Sequence, residues 1–168
     1  HGGLAATGRK PLLSCLAAGV VAAGAWSGVR PEGAPALIGS AVLPRLVDRC
    51  RRLFSFAPQP EITVEANPDS ISRGTLRDLH QAGVTRLSIG VQSLAPADLT
   101  VLGRRHSAED ARRACSLARQ AGFASLSLDL MFGLPGQTAR SWRQTVTGAL
   151  ELDPDHVSLY ELMVEENT

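Results

Sequence analysis

Two carboxylates and an amide stand at equivalent points of one recurring pattern in this chain, with a guanidinium close by in sequence. Glu65 lies in Glu65-Ala-Asn-Pro68, Gln92 closes Gly90-Val-Gln92, and Asp129 opens Asp129-Leu-Met-Phe-Gly-Leu-Pro135. Each string follows a run that reads as a strand. Arg104 sits on the short segment after Gln92. Two acids and an amide can hold a ligand's hydroxyls or amine. An arginine fork matches a carboxylate. The set therefore has one acidic and one cationic pole, which suits a zwitterionic amino acid. A plainer assignment stands beside it: strand-end carboxylates often cap the next helix or pair with a nearby arginine. His106, between Arg105 and Ser107, reads as a solvated loop residue. Met131, Phe132 and Met163 read as packing. Glu65 and Asp129 as the acid and base of a barrel lyase is a rival. It needs a metal or an imine-forming lysine at the rim, and the one lysine, Lys10, is far from any strand end.

The elements that must position these groups alternate. Ser40 is placed to cap a helix to about Phe54 that puts Leu43, Leu46, Val47, Cys50 and Leu53 on one face. Residues 61–66 read as a strand, with Thr63 and Val64 favouring extended backbone. A helix over 73–82 comes next and stops at Gly83. Residues 86–91 form the next strand, and a short helix runs from Pro96 to Leu102. Ser107-Ala-Glu-Asp110 opens a helix to Ala121 as a capping box with Asp as its acid. Residues 125–130 are strand. Thr138 starts a helix with Trp142, Val146 and Leu150 on one side, and 156–163 is a last strand. This order predicts an α/β fold: a partial parallel (β/α) barrel of about four βα units, with helices over its outer face. In such a barrel the chemistry sits at the C-terminal ends of the strands, which is what selects the four residues above.

Composition narrows the function. Of the 168 residues 44% are hydrophobic and 20% charged, a globular balance, and the net charge of +1 offers no nucleic-acid surface. Two Trp, one Tyr and four Phe are too few for a base-stacking platform. Cys15, Cys50 and Cys115 are too far apart for a CxxC or CxxxC and read as buried or idle thiols. No GxSxG, HExxH or P-loop occurs, and Gly133-Leu-Pro-Gly136 reads as a turn. Leu12 to Trp26 resembles a secretory h-region, but the rest of the chain reads as cytosolic, so the expected location is the cytoplasm, without a membrane span.

Five strings carry a resemblance: Glu61-Ile-Thr-Val-Glu-Ala-Asn-Pro68, Ala82-Gly-Val-Thr-Arg-Leu-Ser-Ile-Gly-Val-Gln-Ser93, Leu102-Gly-Arg-Arg-His-Ser107, Leu128-Asp-Leu-Met-Phe-Gly-Leu-Pro-Gly-Gln137 and His156-Val-Ser-Leu-Tyr-Glu-Leu162. In this order they resemble the radical S-adenosylmethionine (SAM) family of oxygen-independent coproporphyrinogen III oxidase-like proteins. The Glu-Ala-Asn-Pro and Gln-Ser forms are closer to its haem-chaperone branch. The resemblance covers about residues 33–168. It implies SAM at the open rim, contacted by Glu65, Gln92, Arg104 and Asp129, with Met163 lining the pocket. It also implies a [4Fe-4S] cluster beside SAM, whose electron yields a 5′-deoxyadenosyl radical, and a tetrapyrrole or haem as small-molecule partner.

The departures define further expectations. The family's CxxxCxxC segment has no counterpart here, so the cluster's ligands are absent. Where the family has GGGTP this chain has Pro31-Glu-Gly-Ala-Pro35, in which only Gly33 and Pro35 match. Residues 1–32 form an unassigned Ala/Gly-rich segment that does not match the family, and 33–168 form the partial barrel. The chain reads as a fragment that cannot carry out the radical step alone. A SAM- or haem-binding module without radical chemistry is the alternative. Open sheet edges predict self-association.

Overall fold

The computed structural model describes residues 42–163. Gly33, Cys15, Ser40 and the h-region-like run lie outside the described residues. The elements are α1 (Val42–Leu53), β1 (Thr63–Ala66), α2 (Arg73–Gln81), β2 (Arg86–Gln92), α3 (Pro96–Val101), α4 (Ala108–Gln120), β3 (Ser125–Phe132), α5 (Ala139–Leu150) and β4 (His156–Glu161). A single 3-10 turn, Pro68–Ser70, comes after β1. The four strands form one parallel sheet in the order β1-β2-β3-β4. This is the α/β arrangement that the alternation predicts.

Local chemistry explains where the helices start. Ser107 accepts from the Asp110 amide while the Asp110 carboxylate accepts from the Ser107 amide. Thr138 and Ser141 close the same reciprocal box at the head of α5. Each box satisfies donors that a helix start leaves without partners. Glycines end α2 and α4 at Gly83 (φ 89°) and Gly122 (φ 92°), a region that disfavours other residues.

The sheet has two unlike faces. Along β2, and along β3 as far as Leu130, apolar residues alternate with polar or small ones. Leu87, Ile89, Leu126, Leu128 and Leu130 are fully buried on the helix-covered face. On the other face stand Arg86, Ser88 and Gly90 of β2 and Ser125, Ser127 and Asp129 of β3, because successive strand side chains point to opposite sides. Parallel sheets covered on both faces are apolar throughout. Here the second face is polar, as the lumen of a barrel that holds a polar ligand would be.

Two packing expectations change. The buried side of α5 is Thr145 and Ala149, with Trp142 and Val146 half-buried beside them, while Leu150 is 59% exposed. Leu150 lies one position, or about 100° of helix, beyond Ala149, which turns it off the sheet. On α1 only Leu43 and Val47 are buried, and Leu46 and Leu53 are exposed. The contact of α1 with the core is two residues wide at i and i+4. The outer side of β4 is also bare: Val157 and Leu159 are exposed, and among the described residues no later helix covers them.

Candidate site at the strand ends

Glu65, Ser88, Ser127 and His156 fall in one register row across β1 to β4. Asp129 stands two residues further along β3 and pairs with Ser158. The Ser88 hydroxyl spans the step between these levels. It donates to Asp129 Oδ2 at 3.0 Å and Oδ1 at 3.1 Å. Burial pushes the half-buried Asp129 carboxyl above the usual carboxylate range. The hydrogen bonds from Ser88 and Ser158, and then the Arg86 charge, pull it partly back.

Gln92 enters the same face by an irregular route. The β2–β3 register shifts between Ile89 and Gln92. Gln92 has φ 63°, and the Ser93 amide bonds back to the Val91 carbonyl at 2.8 Å, so Gln92 is the centre of a three-residue γ-turn. Such backbone in a non-glycine residue is strained by roughly 1–3 kcal/mol and persists only where the surroundings impose it. Here they do. His106 is buried, and its Nε2 lies 3.0 Å from the Val91 carbonyl. It is not the solvated loop residue that its neighbours suggest, because the bulge leaves that carbonyl outside the strand ladder and the imidazole supplies a partner.

On the other side of the turn, Ser93 belongs to a buried clasp. Its hydroxyl donates to Asp98 at 2.8 Å and lies 3.0 Å from the Thr145 hydroxyl. Gln137 donates to the same Asp98 oxygen at 3.0 Å and accepts from the Gly133 amide at 2.9 Å. The clasp joins the segment after β2 to α5 and to the Gly133–Gly136 turn after β3.

Above Gly90 the side-chain amides of Gln92 and Asn67 both come close to the strand. A Cβ added at Gly90 would stand 3.0 Å from Gln92 Nε2 and 3.5 Å from Asn67 Oδ1. The missing side chain is what lets both amides approach the strand. Arg104 Nη1 donates to Asn67 Oδ1 at 3.4 Å. Burial lowers the Arg104 guanidinium from its usual range, and Asp69 offsets part of that. Gln92 is 8% exposed, and its Oε1 has no hydrogen-bond partner. A buried amide oxygen without a partner costs about 1–3 kcal/mol unless something donates to it.

The structure thus places Gln92 and Arg104 around Asn67. Glu65 lies on β1 two residues before Asn67, which stands just past the strand's end, and Asp129 is tied through Ser88 to the Glu65 row. Asn67, Ser88 and His106 are additions to the residues singled out from sequence. Asn67 comes two positions after Glu65 and so shares its face, a signal that alternation carries. Met163 lies just beyond β4 and is 76% exposed, so it is not packing. Phe132 does pack, against Trp142 with ring centres 5.8 Å apart. Away from the rim, a cleft of about 320 Å³ between α2 and α4 is lined by Arg73, Arg77, His80, Leu117 and Gln120. It lies on the helical side of the sheet and shares no residue with the rim.

The rim fits a small zwitterion with hydroxyls, as SAM is: it offers an unused buried amide oxygen, a glycine floor and opposite charges. The described residues do not fit an iron-sulphur cluster. They contain no group of three His, Cys, Asp or Glu able to hold a metal. Cys115 is buried on α4, its thiol pushed up to about 11 by desolvation.

Comparison with known proteins shows the family and the fold. The profile of the Radical SAM superfamily matches residues 33–147. The Heme chaperone HemW of Escherichia coli K12 is 41% identical over 136 residues, which are 81% of this chain and 36% of that protein. The mitochondrial Radical S-adenosyl methionine domain-containing protein 1 of Bos taurus is 39% identical over 136 residues, 31% of its length. Coproporphyrinogen III oxidase (HemN) of E. coli, a radical SAM enzyme of known structure, superposes with a TM-score of 0.69 at 32% identity, over 77% of this chain and 30% of that one. The chain therefore spans about a third of the length of the curated relatives it matches.

Proposed function

The chain belongs to the radical SAM superfamily, and from that premise we propose that it is a SAM-binding barrel segment of the haem-chaperone and coproporphyrinogen III oxidase-like type. Glu65, Gln92, Arg104 and Asp129 are the side chains that hold SAM. Arg104 takes the ligand's carboxylate, held in place by Asn67. Glu65 and Asp129 accept from its ammonium or ribose hydroxyls, and the Gln92 amide closes the pocket over Gly90. Gly33 and Met163 are the remaining candidates for the wall. The observation that carries this reading is the Gln92 Oε1 atom: buried, without a partner, on strained backbone, at the mouth of a polar face. Solvent-exposed or packing roles leave no reason for that combination.

SAM bound next to a reduced [4Fe-4S] cluster supplies a 5′-deoxyadenosyl radical. Cys15, Cys50 and Cys115 lack the spacing to hold such a cluster, so this chain alone binds without performing radical chemistry. Its place is tetrapyrrole metabolism, in the cytoplasm, with haem or a porphyrinogen as the small-molecule partner of the whole assembly. Self-association through sheet edges is part of the same reading.

Equilibrium dialysis of the 168-residue chain against labelled SAM tests it. Wild type retains SAM, and Asp129→Ala lowers the affinity by roughly tenfold or more, the worth of one hydrogen bond to a charged group. Equal retention by the two proteins refutes the assignment.

A further inference from the structure

Ser88 is an unexpected residue for the middle of a central strand. It is 8% exposed, and a buried hydroxyl is unfavourable without a hydrogen bond. Its neighbour in the same register row, Ser127, is 1% exposed and its hydroxyl has no partner. Two serines side by side on one face thus differ in one respect: Ser88 reaches across to the next level of β3. Its hydroxyl lies almost equally far, 3.0 and 3.1 Å, from the two oxygens of Asp129. A single hydroxyl hydrogen is shared between them.

That placement matters because of what else surrounds Asp129. The charged or titratable groups on this face are Arg86 on β2, Glu65 on β1 with Glu61 just before it, and His156 and Tyr160 on β4. Arg86 is already engaged by Glu61 at 3.3 Å. Of the influences that favour the ionised carboxylate, the Ser88 hydrogen bond is the largest, ahead of Ser158 and of the Arg86 charge.

We propose that Ser88 is a positioning residue of the rim site: its hydroxyl holds the Asp129 side chain as a fixed, ionised acceptor for the ligand's hydroxyls or ammonium. This deepens the SAM-binding reading and rests on it. Ser88 touches no ligand. It acts through Asp129, and its effect on binding is therefore tied to the protonation of that one carboxyl. Threonine keeps the hydroxyl, cysteine replaces it with a weak donor, and alanine removes it.

The test uses the full chain with carbon-13 in its aspartate carboxyl groups, and Asp129→Asn assigns the Asp129 signal. Wild type, Ser88→Ala, Ser88→Cys and Ser88→Thr are titrated by NMR, and SAM retention is measured by dialysis from about pH 5 to about pH 8. Ser88→Ala and Ser88→Cys raise the Asp129 midpoint, because the anion loses its best donor. SAM affinity then falls about five- to tenfold at the acid end and recovers toward the wild-type value as pH rises. Ser88→Thr restores both. A merely structural role predicts an affinity loss that does not depend on pH and a midpoint that does not move, and either result overturns the proposal. If Ser88→Ala does not fold, Ser88→Cys and Ser88→Thr give the same comparison. Wild type that retains no SAM at any pH sinks the ligand reading itself. A normal wild-type affinity with an unmoved midpoint sinks the Ser88 role alone.

Discussion

Replacing Thr145 by valine asks whether the clasp beneath Gln92 is an energetic part of the fold. Valine has the shape of threonine, so the change removes only the hydroxyl. That hydroxyl lies 3.0 Å from Ser93 Oγ and accepts from the Leu94 amide at 3.3 Å. Thr145 is 1% exposed, so water cannot replace it without local opening. Losing one net hydrogen bond removes roughly 0.5–1.5 kcal/mol, and leaving a buried partner unsatisfied adds about 1–3 kcal/mol. The extra methyl returns part of this. The expected loss is about 2–3 kcal/mol, or roughly 5–10 °C in Tm for a domain of this size. Thr145→Ser is the control: it keeps the hydroxyl and loses one methyl, worth about 1 kcal/mol. Urea unfolding monitored by tryptophan fluorescence and by circular dichroism gives the order wild type, then Thr145→Ser, then Thr145→Val. A Thr145→Val protein as stable as Thr145→Ser refutes the reasoning, because the shared hydroxyl would then contribute nothing that a methyl does not.

Two more outcomes come from features of the same sheet and its cover. Gly90→Ala puts a methyl 3.0 Å from Gln92 Nε2 and should weaken SAM retention by roughly tenfold, one hydrogen bond, with Tm nearly unchanged; unaltered retention means the Gln92 amide is not engaged. The Cys115 thiol, buried and raised to about 11, stays protonated and unreactive toward a disulphide reagent at pH 8 in the folded protein and reacts once the chain is unfolded in urea. Peptide mapping that finds Cys115 and Cys50 labelled at equal rates in the folded state contradicts its placement.

Much of this arrangement is legible in the residues, and the parts that are not share a cause. Ser107 and Thr138 announce their helices because a cap acts within three residues of itself. The strands are legible because alternation acts within two. Gln92 is different. Nothing in Gly-Val-Gln-Ser signals positive φ at a glutamine, since the residues that impose it, His106, Asp98 and Thr145, arrive from other elements. The burial of His106 is hidden for the same reason: its partner is a carbonyl fifteen residues earlier. Glu65, Gln92 and Asp129 are legible from their position at strand ends, and Arg104 from its place in the segment that follows Gln92. The supports, Ser88 on β2 and Asn67 just past β1, share that face, but being uncharged they carry no mark that separates them from ordinary polar residues.

The two unlike faces of the sheet also govern which changes of length the chain can absorb. An extra residue at the head of β3 exchanges Leu126, Leu128 and Leu130 for Ser125, Ser127 and Asp129, driving a carboxylate under the helices and leucines into the lumen. The same residue added in the loop before β3 leaves that alternation intact. Insertions and deletions are therefore tolerated in the connections alone, and the spacing from Arg86 to Gln92 and from Ser125 to Phe132 behaves as a fixed ruler.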